Sequence, residues 1–433
     1  MQKQGAPTVT IPALPVLTMP PRAASRRHHS FGFWVAAAAF FVNMGFSAVP
    51  TPLYVLYQRR DHFSTITITL VYAVYAVGVI GSLFLGGHVS DWVGRKRIFV
   101  PALLLNVAAA AIFLVAPSLP GLLLARVVCG VSVGLTTATA TAYLAELHLG
   151  TAAGDRGGRR GQVVATAANL GGIGFGPLVA GLLAQYAPQP LRLPYYVFGA
   201  LLLFLALLLA VSPETAVRPE PRQAWRPQRI AVPPQARRTF FAATSAGVAS
   251  FAVYGVFNSL APSFLAGTLG ETSHAVAGAV AFAAFASGAL AQVALSRIDL
   301  GATIRLGPYL LIPGLALLVA GMWLPSLAVF VIGGVVTGAG GGLVFRGALA
   351  AAGSTAPPQS RAEVLAAYFL GAYVGLSVPV VALGVATQYV APRDAMLAFV
   401  VLVSLAVVVS VRALPLAGGS RFQMAAPGEP RQQ

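Results

Sequence analysis

Residues 86–99 read GGHVSDWVGRKRIF. On each side lies an apolar run of about 20 residues, the length that crosses the hydrocarbon of a bilayer. An acid, two spaced glycines (Gly87 and Gly94) and the basic triplet Arg95, Lys96, Arg97 are thus held between two greasy segments. Such a stretch belongs where a chain leaves lipid, turns in water and goes back in.

Composition supports that reading. The 433 residues are 57% apolar and 9% charged, against about 25% charged in a soluble domain. Too few charges exist to cover a water-facing surface, so lipid must cover it. The net charge of +17 does not indicate nucleic acid, because the charges lie in short clusters and form no long basic face. Cys129, the single cysteine, excludes an intrachain disulfide and a cysteine-only metal cluster, and reads as a small packing residue. Lysine occurs only at Lys3 and Lys96, a hint of a GC-rich bacterial genome. Pro7, Pro12, Pro15, Pro20 and Pro21 interrupt residues 1–30, which read as a disordered tail and not as a secretory signal.

Twelve apolar spans follow, at 32–57, 66–87, 98–117, 120–146, 162–186, 193–212, 240–266, 274–296, 305–324, 327–351, 363–389 and 394–414. Barrel strands would be half as long and would alternate polar with apolar residues. With the N-terminus inside, 22 of the 28 Lys and Arg fall on inner segments and four on outer loops, while Arg126 and Arg346 lie within spans. Excess Lys and Arg mark the cytoplasmic side, so both termini are expected in the cytoplasm of a bacterial inner membrane. The expected organisation is a tail at 1–30, a six-helix bundle at 31–214, a Pro- and Arg-rich cytoplasmic linker at 215–238, a second six-helix bundle at 239–415 and a tail at 416–433.

The halves echo each other. Gly45 precedes Pro52 by seven residues in span 1, and Gly255 precedes Pro262 by seven in span 7. Spans 5 and 11 both end in a Pro followed later by Gln-Tyr. Each pair is six spans apart, as in a duplicated six-helix unit, and parallel repeats of this kind occur in transporters. The fold class expected is an all-α membrane protein with twelve transmembrane helices in two pseudo-symmetric six-helix bundles.

The stretch from Gly87 to Arg97, placed after the second of twelve spans, resembles the loop signature of the major facilitator superfamily: Gly, x, small or apolar, x, Asp, x, x, Gly, Arg, Lys/Arg. Physics gives its residues work. Gly87 and Gly94 permit a tight turn, and Asp91 suits the N-terminus of a neighbouring helix. Arg95 is in reach of an acid on an adjacent helix, and Glu146 ends span 4. The resemblance implies that Gly87, Asp91, Gly94, Arg95, Lys96 and Glu146 form a latch that closes the cytoplasmic side in the outward-open state, with span 11 as the partner of Asp91. The plainer alternative is that the triplet only obeys the positive-inside rule.

Arg126 lies some six residues into span 4, where a charge costs about 2.5 kcal/mol or more. It should face the bundle interior, and the resemblance links an Arg here, with Gly130 after it, to proton coupling. Span 5 carries Gly172, Gly176, Pro177 and Gly181 of the family pattern associated with exporters, with Ala168 and Ala180 as departures. Arg346 in span 10 reads as a snorkelling residue or an anion contact. Asn43, Tyr72, Tyr75, Tyr254, Asn258, Gln292 and Tyr373 are polar or amphipathic within apolar runs and line either a substrate path or helix–helix contacts. All eleven acids lie outside the spans or at their ends, which argues against polycationic substrates and puts proton coupling in doubt. No phosphate-cradling Gly-rich Lys loop and no metal spacing occurs, so no cofactor is expected.

These residues point to a secondary carrier, not an enzyme, that moves a small organic molecule across the lipid bilayer by alternating access. Proton-linked export of a drug or metabolite is the first reading, with protons as coupling ion and a monomer as working unit. Uptake by symport or facilitated diffusion is the second. A non-transporting receptor or scaffold with the same fold is the rival of another class.

Overall fold

The computed structural model describes residues 26–86, 89–149, 156–216, 232, 234–356 and 361–414. The tails before 26 and after 414, the loop glycine Gly87 and most of the linker lie outside the described residues. The described residues form fifteen α-helices and one 3₁₀ turn, with no strand among them. The first half contains α1 (Arg26–Ala48), α2 (Tyr54–Asp61), α3 (Thr65–Gly86), α4 (Ser90–Val93), α5 (Arg95–Val115), α6 (Leu119–Leu149), α7 (Arg156–Tyr186) and α8 (Leu193–Ala210). The second contains α9 (Arg237–Ser259), α10 (Ala261–Thr268), α11 (His274–Ala294), α12 (Leu300–Trp323), α13 (Leu327–Gly353), α14 (Arg361–Ala386) and α15 (Pro392–Ala413). Twelve of these helices are long and apolar enough to cross a membrane. Val77, Leu207 and Leu402, exposed at 64%, 63% and 66%, project from the outside of the bundle, where acyl chains and not water suit them.

Spans 1 and 7 differ from the reading of the sequence in the same way. Each is interrupted near its end. Helix α1 stops at Ala48 and the chain restarts as α2, with Pro50 and Pro52 between them. Helix α9 stops at Ser259 and restarts as α10, which has Pro262 in its first turn. A proline has no N–H for the helix ladder and clashes with the preceding turn, but it is tolerated where a new helix begins. The recurring Gly-to-Pro spacing thus marks a matched pair of breaks.

The two ends of the bundle are named here by what they carry: the motif end holds α4, and the far end holds α2 and α10. The halves meet along two seams, α3 against α14 and α7 against α11. At the far end Thr51 donates to the Asn258 carbonyl and side-chain oxygens at 2.8 and 2.7 Å, Ser263 donates to Gln58, and the His274 N–H donates to Gln185 at 2.9 Å. Thr69 of α3 packs on Gly384 of α14 at the same end. Helix α6 makes no extended contact with α13 or α14 among the described residues. The halves are therefore clasped at the far end.

Candidate functional site

The turn that opens the sequence argument folds as a short helix and a kink. Gly94 ends α4 with φ +124° and ψ 142°, a conformation that side chains rarely adopt. A Cβ at that position would lie 2.5 Å from Glu214 Oε2. Only glycine lets the chain turn here with Glu214 against it.

That turn delivers Arg95 to three acids. Its side chain donates to Glu146 at 2.8 Å and to Ser90 at 2.8 Å, and pairs with Asp91. Its backbone N–H donates to Glu214 at 2.8 Å. The guanidinium is 11% exposed, against 31% for Glu146 and 54% for Asp91. The strong member is thus the Arg95–Glu146 pair, while the Asp91 pair is largely solvated and contributes little. Lys96 donates to the carbonyls of Ala210 and Ser212, both at 2.9 Å, and so neutralises the negative end of α8. Every partner named belongs to the first half or to the start of the linker. The helix end expected beside Asp91 is preceded by residues 357–360, which lie outside the described residues.

A second cluster surrounds Arg126. Gly130 sits where a Cβ would come 2.1 Å from the Tyr75 carbonyl, so glycine allows α6 to close on α3. That approach sets the Arg126 guanidinium 4.6 Å from the Tyr75 ring centre and 5.7 Å from that of Tyr72. Arg126 is 1% exposed. One nitrogen donates to the Ser47 carbonyl at 2.7 Å, in the last turn of α1, where carbonyls are free and the helix dipole is negative. Its Nε has no partner among the described residues, and the proton of the Tyr72 hydroxyl, which lies beside the Asn258 side chain, has no acceptor among them. No carboxylate pairs with Arg126 among the described residues. The second half supplies Tyr373, beside the hydroxyls of Tyr75 and Thr137, and Asn258, beside Tyr72. Tyr75, Tyr373 and Asn258 are buried at 6%, 7% and 7% exposure.

The other expected path residues sit elsewhere. Asn43 is fully buried in the first half, donating to Thr136 at 3.0 Å and accepting from Asn106 at 2.8 Å. Tyr254 donates to the Gly338 carbonyl at 2.8 Å and stacks on Phe285. Arg346 donates to the carbonyls of Leu295 and Ser296 at 2.6 and 3.1 Å, capping the end of α11. Gln292 lies near that same helix end, its amide nitrogen buried without a partner among the described residues. In α7, Gly172 and Gly176 abut the α1 backbone at Phe41 and Gly45, while Pro177 and Gly181 abut α11 at Gly278 and His274. The span-5 pattern therefore serves a packing seam within one half and another between the halves.

The family model described as Major Facilitator Superfamily matches residues 33–378. The chain belongs to the Major Facilitator Superfamily. Among curated proteins it is 32% identical over 133 residues to "Probable polyol transporter 4" of Arabidopsis thaliana, a stretch that is 29% of this chain and 25% of that protein. Two solved structures share the fold. One is a bacterial homologue of the human lysosomal transporter Spinster, in an inward-facing and unoccupied conformation, with TM-score 0.61, 15% identity, and coverage of 90% of this chain and 98% of that one. The other is the nucleoside transporter NupG, with TM-score 0.66, 12% identity, and coverage of 89% and 100%. This member of the superfamily thus has the shared fold, with twelve helices long and apolar enough to cross a membrane.

Sequence reasoning missed Glu214, Ser90 and Thr215, which complete the Arg95 network. The signal for Glu214 was present: an acid directly after span 6, at the end of the bundle where the basic triplet emerges.

Proposed function

We propose that this transporter works by alternating access between the state described above, clasped at the far end, and a second state clasped at the motif end. The observation that carries the proposal is the asymmetry of the clasp. Hydrogen bonds and close backbone contacts join the halves at the far end, while the charged network of the motif end is built within one half. Arg95, Glu146 and Glu214 are preassembled there. Asp91, more than half exposed in its pair with Arg95, docks on α14 when the halves close on that side. With the termini in the cytoplasm of a bacterial inner membrane, the described state is inward-facing and the latch belongs to the outward-facing one.

Export of a small organic molecule by a monomeric carrier is the direction we assign, on the span-5 resemblance. Linkage to protons is its finer form. Uptake or facilitated diffusion of a hydroxylated metabolite is the second reading, and the polyol-transporter relative favours it. Purified protein in liposomes tests these together. A carrier moves solute down an imposed gradient, and a proton-linked one also moves it uphill when only a pH gradient is applied. A receptor or scaffold moves none.

A further inference from the structure

We infer that the Arg126 cluster is the binding site for a small organic carboxylate. The inference rests on the carrier reading and names its substrate class. Four observations lead there. A guanidinium 1% exposed is fixed in the bundle, yet no carboxylate pairs with it among the described residues. A buried cation without an acid is expensive, and the Ser47 carbonyl with two ring faces offsets only part of the cost. Arg126 Nε and the Tyr72 hydroxyl each hold a proton that has no acceptor among the described residues. Two donors in search of oxygen, beside one uncompensated positive charge, match a carboxylate, which accepts through both oxygens and binds Arg in the strongest geometry available to it.

The cluster is also placed where a carried solute must bind. Arg126, Tyr72 and Tyr75 come from the first half, and Tyr373 and Asn258 from the second. The Tyr72 and Tyr75 rings lie against the guanidinium, so a ligand on the charge packs against aromatic walls. A bound monoanion cancels the charge of Arg126, and each cycle then carries one negative charge with the solute. With the cell interior negative, that charge contributes to outward movement without any acidic side chain on the path.

The test uses purified full-length protein with three probes and their neutral amides: acetate with acetamide, benzoate with benzamide, gluconate with gluconamide. Thermal stability is followed as each is titrated, since a ligand that binds the folded form raises the melting temperature. At least one acid should raise it while its amide does not. Arg126→Gln should weaken that acid roughly 10- to 100-fold, and Arg126→Lys should retain the preference for acid over amide. Tyr72→Phe keeps the volume and should weaken the acid a few-fold without changing the melting temperature of the free protein; it carries the test if Arg126→Gln fails to fold. An amide that stabilises as well as its acid, no stabilisation by any acid, or an unchanged response in Tyr72→Phe overturns the assignment. In liposomes the stabilising acid should move electrogenically, its flux following an imposed membrane potential. Movement of neutral solutes alone overturns the carboxylate site and leaves the carrier standing; binding without movement of any solute overturns the carrier and leaves the site.

Discussion

Gly278 of α11 faces the Pro177 carbonyl of α7 across the seam between the halves. A Cβ there would lie 2.2 Å from that oxygen and 2.9 Å from its carbon. Both are helix backbone atoms, so no side-chain rotation relieves the contact, and the helices must part at this level. Overpacking a tight contact costs about 1–3 kcal/mol. The gain in helix propensity from Gly to Ala applies to both states and cancels. In the state open at the far end the seam is parted and the methyl group has room. Gly278→Ala should therefore move the equilibrium about 5- to 150-fold toward that state. Thr51, at 1% exposure, provides the probe. In a Cys129→Ala background, the rate at which an impermeant maleimide alkylates Thr51→Cys follows the population open at the far end. Gly278→Ala should raise that rate by about fivefold or more. Gly267→Ala, whose Cβ would meet nothing within 4 Å, should leave it unchanged. An unchanged rate in folded Gly278→Ala protein refutes the assignment of this seam as the far-end gate.

Three further substitutions separate latch, cap and fold. Gly94→Ala meets both a positive φ and the Glu214 carboxylate, and should cost about 2–4 kcal/mol, read as a lowered melting temperature in detergent. Asp91→Asn should change stability by less than about 1 kcal/mol, since its carboxylate is more than half exposed, yet impair transport; normal flux would remove Asp91 from the latch. Arg346→Gln removes the donor to the Ser296 carbonyl and one of the two donors to the Leu295 carbonyl and should destabilise by about 1–3 kcal/mol, with the substrate KM unchanged.

The spans were legible in the sequence because length and apolar content alone decide what crosses a bilayer, and all twelve are present. The basic triplet was legible for the same reason: charge at a membrane edge has few explanations. Arg95 and Glu146 form the pair that their positions at adjacent span ends suggested. What sequence did not disclose was partner choice. Asn43, Tyr254 and Arg346 are of residue types that suit a cavity wall and a helix–helix contact equally. Rotation about a helix axis decides whether such a side chain faces the path or a neighbouring helix, and a helix apolar on every side leaves that rotation unmarked. Hence Asn43 went to Asn106 and Thr136, Tyr254 to the Gly338 carbonyl, and Arg346 to the end of α11. Arg126 stood out because a charge some six residues inside an apolar run is costly wherever it points. The breaks at Pro52 and Pro262 were visible as a repeat, but their effect depends on whether the helix resumes beyond them.

Pulsed electron resonance on two pairs of spin labels, in the Cys129→Ala background, measures the alternation itself. One pair, at Arg59 and Thr272, spans the halves at the far end; the other, at Arg97 and Ser354, spans them at the motif end. Alternating access predicts opposite changes: Gly278→Ala should lengthen the first distance and shorten the second within one protein population. Two distances that change together, or that stay fixed in both backgrounds, would contradict the rocking of two half-bundles.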